Sequence, residues 1–232
     1  MREISKEKYI YAFIITAGIF LLGLFLGLII ENQRVDYVEN QYHQQRIVLG
    51  SSQLQYDLLT EIQTKNNCPA IYKAFNTNLK DLETTRIRLE NFNENAILDK
   101  DSFALIERDY LLAQVRYWML ARKTQNVCNN DVVTILNFYK NKEECPECDN
   151  QNFILTYLKK LFGDKLLIFS FKSEITEEPI LGILQSAYNV TEYPSIVIND
   201  KEYSGFTEKE QLLKTICSLY KEKTEGCEDY QK

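Results

Sequence analysis

The chain has 232 residues, 45% of them apolar, enough material for two globular units at most. A net charge of −6 and a single histidine, His43, argue against nucleic acid as the main partner. Six cysteines (68, 128, 145, 148, 217 and 227) are many for a reducing cytosol, and an even number outside it points to pairs.

The compartment is read near the N-terminus. From Tyr9 to Ile30 run 22 residues without a charge. That is long enough to cross a hydrocarbon core of about 30 Å as a helix. A cleaved signal peptide is the rival, but its apolar region usually spans about 7–15 residues and ends in a small-x-small site. Leu28-Ile29-Ile30-Glu31-Asn32 offers no such site. The reading is an uncleaved transmembrane helix over residues 9–30, held in the lipid bilayer, behind a cytoplasmic N-terminus of residues 1–8. Arg2, Lys6 and Lys8 precede it and Arg34 follows, so the positive-inside rule leaves the C-terminal domains extracytoplasmic, on a single-pass cell-membrane protein. Disulfides are then permitted. Gly23-x-x-x-Gly27 would let two such helices pack as a homodimer, although glycine is common in membrane helices anyway.

Residues 31–66 are polar and read as a helical stalk. Val35, Val38, Tyr42 and Leu49 follow heptad spacing, with Gln45 and Ser52 weakening the stripe. Gly50-Ser51-Ser52 predicts an interruption, and Ser52 with Gln55 a capping box for a restart through Leu54, Leu58 and Ile62. A coiled-coil dimer and a stalk packed on the chain's own next domain both remain open. His43 reads as a solvated surface residue of this stalk.

Residues 67–128 read as a helical hairpin. Pro69 opens a helix whose apolar side carries Ile71, Phe75, Leu79, Leu82, Leu89 and Phe92. After a polar turn near residue 98, Asp101 or Ser102 caps a second helix through Phe103, Ile106, Tyr110, Ala113, Tyr117 and Leu120. Leu105, Leu112, Val115 and Trp118 widen its apolar face, which predicts a central helix with two partners. Cys68 and Cys128 flank the pair nearly equidistant from the turn, so an antiparallel hairpin brings them together as a structural disulfide. In the chain-entropy model a bridge closing a loop of about 60 residues stabilises by roughly 4 kcal/mol at most.

From residue 131 the pattern changes to βαβ. Val132 to Tyr139 form an apolar run with the β-branched and aromatic content of a buried strand. Cys145-Pro146-Glu147-Cys148 follows, and then a helical stretch with Phe153, Leu155, Tyr157, Leu158, Leu161 and Phe162 on one broad apolar face. Two cysteines thus stand where a strand ends and a helix begins, where free backbone N–H groups and the macrodipole favour a thiolate. Pro146 fits a first helical turn, where a missing N–H costs nothing. This selects Cys145 as the exposed nucleophile and Cys148 as the resolving thiol, while Glu143, Glu144 and Glu147 oppose the thiolate by like charge. A second strand (165–171), a helix opened by Pro179, a strand after Tyr193-Pro194, a hairpin turn at Asn199-Asp200 and a last helix capped by Thr207 complete the order β-α-β-α-β-β-α. Cys217 and Cys227 would close an eleven-residue clip, Gly226 letting the chain turn back into a tail of residues 223–232. Asn189-Val190-Thr191 is a glycosylation sequon, expected to stay unmodified.

On the Cys-Pro-Glu-Cys motif after the first strand, Tyr193-Pro194 before the third and the hairpin ending at Gly205, residues 131–222 resemble the thioredoxin superfamily. The expected architecture is therefore an α/β thioredoxin-like fold preceded by a transmembrane helix, a helical stalk and an α-helical hairpin. The resemblance implies a cis Pro194 packed beside the cysteine pair, with the backbone of Tyr193 helping to hold a substrate peptide. It implies a thiol–disulfide oxidoreductase acting on substrate proteins with thiols or disulfides, recharged by a membrane or soluble redox partner. Departures from the pattern are the lack of a tryptophan before Cys145, the Pro-Glu pair inside the motif, and Asn137 where a buried aspartate is usual. The like charges around the motif predict a couple less oxidising than a strong disulfide oxidase. A Cys-x-x-Cys pair can also be half of a zinc site, but no further ligands stand at suitable spacing, so neither metal nor cofactor is expected. The competing class is a thioredoxin-like binding or scaffold module whose bridge is only structural.

Overall fold

The computed structural model describes residues 6–61, 67–95 and 100–230, and the chain divides into two compact units after Glu61. The hairpin turn near residue 98 and the first five residues lie outside the described residues. So do the side chains of Val35, Val38, Tyr42, Gln45 and Leu49, on which the heptad reading rests, and that of His43.

The first unit corrects the sequence reading. Residues Lys6–Glu61 form one uninterrupted helix of 56 residues, α1. No helix among the described residues is long and apolar enough to cross a membrane, so the transmembrane helix over 9–30 is not supported. The uncharged run is not a self-contained element. It is the opening of a longer helix that continues through the polar segment, because neither a proline nor a cap breaks backbone hydrogen bonding at Glu31. Nor does the helix break at Gly50-Ser51-Ser52. A glycine in a helix interior costs only about 1 kcal/mol relative to alanine.

The expected α/β balance is corrected too. Most described residues are helical, and the second unit holds a single four-stranded mixed sheet. In the second unit, α2 (Cys68–Asn95) and α3 (Lys100–Cys128) form the hairpin. Phe75 stacks on Tyr117 at 4.6 Å and Phe92 on Phe103 at 6.0 Å. Cys68 and Cys128, 60 positions apart, are disulfide-bonded with their Cα atoms 5.6 Å apart.

The sheet contains β1 (Val133–Tyr139), β2 (Leu166–Lys172), β3 (Ser195–Ile198) and β4 (Lys201–Ser204), in the order β2-β1-β3-β4. β1 pairs parallel with β2, Val133 opposite Leu166, and antiparallel with β3, Ile135 opposite Ile198; β3 and β4 form a hairpin. β1 is central and buried on both faces, which is why it reads as a continuous apolar run rather than an alternating one. The crossover after β1 is α4 (Cys148–Phe162), followed by a short 3-10 turn (Gly163–Lys165). α5 (Pro179–Ala187) lies between β2 and β3, and α6 (Lys209–Leu219) follows β4.

The two faces of the sheet have different coverings. Val133 and Ile135 of β1, with Ile196 and Ile198 of β3, pack under Leu155, Leu158 and Phe162 of α4 and Leu212 and Ile216 of α6. Leu136 and Phe138, with Phe169, Phe171 and Val197, pack under Leu111, Val115 and Tyr117 of α3 and Leu181 and Leu184 of α5. The hairpin helix α3 thus covers one face of the sheet while also packing on α2.

Candidate functional site

At the C-terminal end of β1 the chain leaves the sheet through residues 140–147 and re-enters regular structure at Cys148. Cys145 and Cys148 are disulfide-bonded across a Cα–Cα distance of 5.4 Å. The turn that carries them is built on one carbonyl. The oxygen of Asn141 accepts from the N–H groups of Glu144 at 3.0 Å and Cys145 at 2.9 Å, and Cys148 N–H donates to Cys145 O at 3.2 Å.

Three local expectations change here. Pro146 does not open the helix: Glu147 is the N-cap, without a side-chain cap, and Cys148 is the first helical residue. Cys145 is not exposed, since both cysteines are only 2% accessible while Pro146 and Glu147 are open to solvent. On α4, Phe153 is 78% and Tyr157 47% exposed, and the buried stripe runs instead through Cys148, Gln151, Leu155, Leu158 and Phe162.

The acids beside the motif are partly neutralised. Lys140 Nζ lies 2.6 Å from Glu144 Oε2 and 5.2 Å from the centre of the Tyr193 ring. Its hydrogen bond to Glu144 raises the lysine pKa above the ordinary value. Lys142 faces Asp149 at 3.9 Å. Through Lys140, the structure brings Glu144 of the motif turn and Tyr193 into one group. The Tyr193–Pro194 peptide bond is cis, Pro194 is buried, and the Tyr193 hydroxyl accepts from Gln185 Nε2 at 3.1 Å.

Beneath the motif lies a polar cluster. Asn137, fully buried on β1, donates from Nδ2 to Asn152 Oδ1 at 2.8 Å and to Ser170 Oγ at 3.3 Å. Its Oδ1 has no hydrogen-bond partner among the described residues. One turn into α4, buried Gln151 accepts from Thr207 N–H at 2.8 Å and donates to Thr207 O at 3.3 Å, which ties the motif helix to the segment ahead of α6. Thr207 itself is not the cap of α6, which is Glu208.

Sequence reasoning missed Lys140, Gln151, Asn152 and Glu174, whose carboxylate accepts from Asn141 N–H at 3.1 Å. Gln151 alone left a signal, a glutamine on the buried face three residues after Cys148. Away from this site, Cys217 and Cys227 are disulfide-bonded, both fully buried, with Gly226 between them at φ 87°.

No protein-family model matches the chain, and no curated protein matches it in sequence. Several solved structures resemble part of it, and two serve as examples. One, described as a malarial protein, is 17% identical, with a TM-score of 0.32, over 39% of this chain and 98% of its own. The other is the germline-specific thioredoxin Deadhead of Drosophila melanogaster, 19% identical, with a TM-score of 0.31, over 40% of this chain and 85% of its own. Both TM-scores are too low for either likeness to carry weight.

Proposed function

We propose that this chain is a thiol–disulfide oxidoreductase of the thioredoxin-like kind, working on cysteines of other proteins. The observation that carries the reading is the placement of the Cys145–Cys148 bridge. It lies at the junction of the central strand with the helix that crosses over it, one residue after Glu144, whose ion pair with Lys140 reaches the Tyr193 ring. A pair of sulfurs held at a helix start by a tight backbone turn is chemically suited to opening and reclosing.

In the reduced form, the Cys145 thiolate attacks one sulfur of a substrate disulfide, and the other substrate sulfur leaves as a thiolate. Cys148, losing its proton, then attacks the Cys145 sulfur of the mixed disulfide and expels the first substrate sulfur. Two electrons pass to the substrate, and the Cys145–Cys148 bond is formed. In the oxidised form the same steps run backwards, and a separate redox partner restores the starting state. The backbone of Tyr193 is the proposed hold on the substrate peptide. Three bonded cysteine pairs suit an extracytoplasmic, oxidising setting.

The burial of both cysteines favours a second reading, a binding module in which the bridge is structural. A glutathione titration of the full chain, read by mass spectrometry, separates the two. A reversible two-electron couple at this pair, absent in Cys145→Ser, supports the enzyme. A bridge that reduces only when the protein unfolds overturns it.

A further inference from the structure

A side chain from the segment after β2 reaches the backbone of the motif turn. β2 ends at Lys172, and Ser173 N–H still donates to Tyr139 O at 2.8 Å, so the ends of β1 and β2 run side by side up to the motif. Just beyond stands Glu174. Its Oε1 accepts from the N–H of Asn141, the residue whose carbonyl carries Glu144 and Cys145. Its Oε2 faces Lys172 Nζ at 3.7 Å, and Lys172 lies 3.9 Å from Glu107 Oε1 on α3. The Glu174 carboxylate is about three-quarters buried, at 22% side-chain exposure, while Asn141 on the turn is exposed.

We propose that Glu174 is a positioning residue for the cysteine pair. By holding the Asn141 amide it fixes the carbonyl on which the Cys145 N–H rests, and with it the direction in which Cys145 presents its sulfur to Cys148 and to a substrate. The Lys172–Glu107 link makes α3 of the hairpin the anchor of this hold. This rests on the oxidoreductase reading for its consequence in catalysis, although the geometric hold exists in the oxidised protein without it.

Two measurements on the full chain test the proposal, with Glu174→Ala and Glu174→Gln compared with the wild type and melting curves run alongside. The first is amide hydrogen exchange at Asn141 and Cys145 in the oxidised protein. Glu174→Ala should speed exchange roughly fivefold to tenfold, the worth of one lost hydrogen bond, while Glu174→Gln, which keeps an acceptor oxygen, should stay near wild type. The second is the pH profile of Cys145 alkylation after gentle reduction, which should shift in Glu174→Ala and be rescued in Glu174→Gln. Unchanged exchange at Asn141 in Glu174→Ala, or a Gln variant as impaired as the Ala variant, overturns the proposal. A wild-type pair that resists gentle reduction overturns the oxidoreductase reading instead, and the exchange result still decides the hold.

Discussion

The side-chain amide of Gln114 on α3 donates to the carbonyl oxygen of Ser170 on β2 at 3.2 Å and accepts from its N–H at 3.0 Å. Both groups of Ser170 point away from β1, along the edge of the sheet, so the glutamine stands where another strand would pair. Two periods back along the strand, the Leu166 carbonyl accepts from Lys159 Nζ at 2.8 Å. Edge strands left open invite pairing with other chains, and here the buried Gln114 and the half-buried Lys159 blunt the edge. Gln114→Ala should therefore cost about 1–3 kcal/mol, because it strands two partly buried backbone groups. It should also promote concentration-dependent association. Urea unfolding with sedimentation velocity checks both, and a fully stable, monomeric variant would count against the edge role.

The hairpin is coupled to the sheet through α3, which carries Leu111, Val115 and Tyr117 into the core under Leu136 and Phe138. Opening the Cys68–Cys128 bridge therefore loosens more than a peripheral loop. The double substitution Cys68→Ser, Cys128→Ser should lower unfolding stability by about 2–4 kcal/mol, the usual range for a bridge closing a long loop. Glu107, through which α3 reaches Lys172, stands near the start of that helix, at the other end from Cys128, so the hold on the motif turn should survive and the Cys145–Cys148 couple should keep its potential. Urea denaturation and glutathione titration of the same variant measure the two effects separately.

What could be read in advance follows from what is local. The run Val132–Tyr139 and the helical periods of 68–95 and 100–128 are short-range signals, and the strand and helices lie there. The uncharged stretch near the N-terminus was misleading because hydropathy reports composition, not where a helix begins and ends. Helix α4 starts after Pro146 and α6 is capped by Glu208 rather than Thr207, because where a helix begins depends on backbone angles that the neighbouring turn imposes. The covering of Cys145, the reach of Lys140 to Tyr193 and that of Glu174 to Asn141 depend on strands that meet only in the folded sheet. No periodicity encodes them.

Tyr117 sets an alkaline limit to stability. It is 4% accessible, wedged between Phe75 and Phe169, and burial pushes its phenol up to about 12 from the ordinary value of 10.0. The folded state thus holds this proton more tightly than the unfolded state. The stability that goes with it is complete below pH 10 and is lost as pH rises towards about 12. Tyr117→Phe should flatten that part of the profile by on the order of 2 kcal/mol. Unfolding midpoints between pH 9 and 12, with tyrosinate absorbance recorded in parallel, test this; an unchanged slope in the variant would show that the phenol is not responsible.

Lys140 gives a test of the site's electrostatics that leaves the sulfurs in place. Its ammonium lies between Glu144, one residue before Cys145, and the Tyr193 ring, so it cancels a charge that would otherwise oppose the thiolate. Lys140→Ala should raise the thiol pKa of Cys145 and make the couple more reducing, whereas Glu144→Gln should do the opposite. Glu144 is 55% exposed, so the effects are small. A two- to fourfold change in the equilibrium constant corresponds to about 10–20 mV in each direction. Added salt should shrink both shifts, since exposed charges are screened. Because the pair is an ion pair, the double variant should return close to the wild-type potential. Shifts of the same sign in both single variants would mean that the turn, and not its charge, governs the couple.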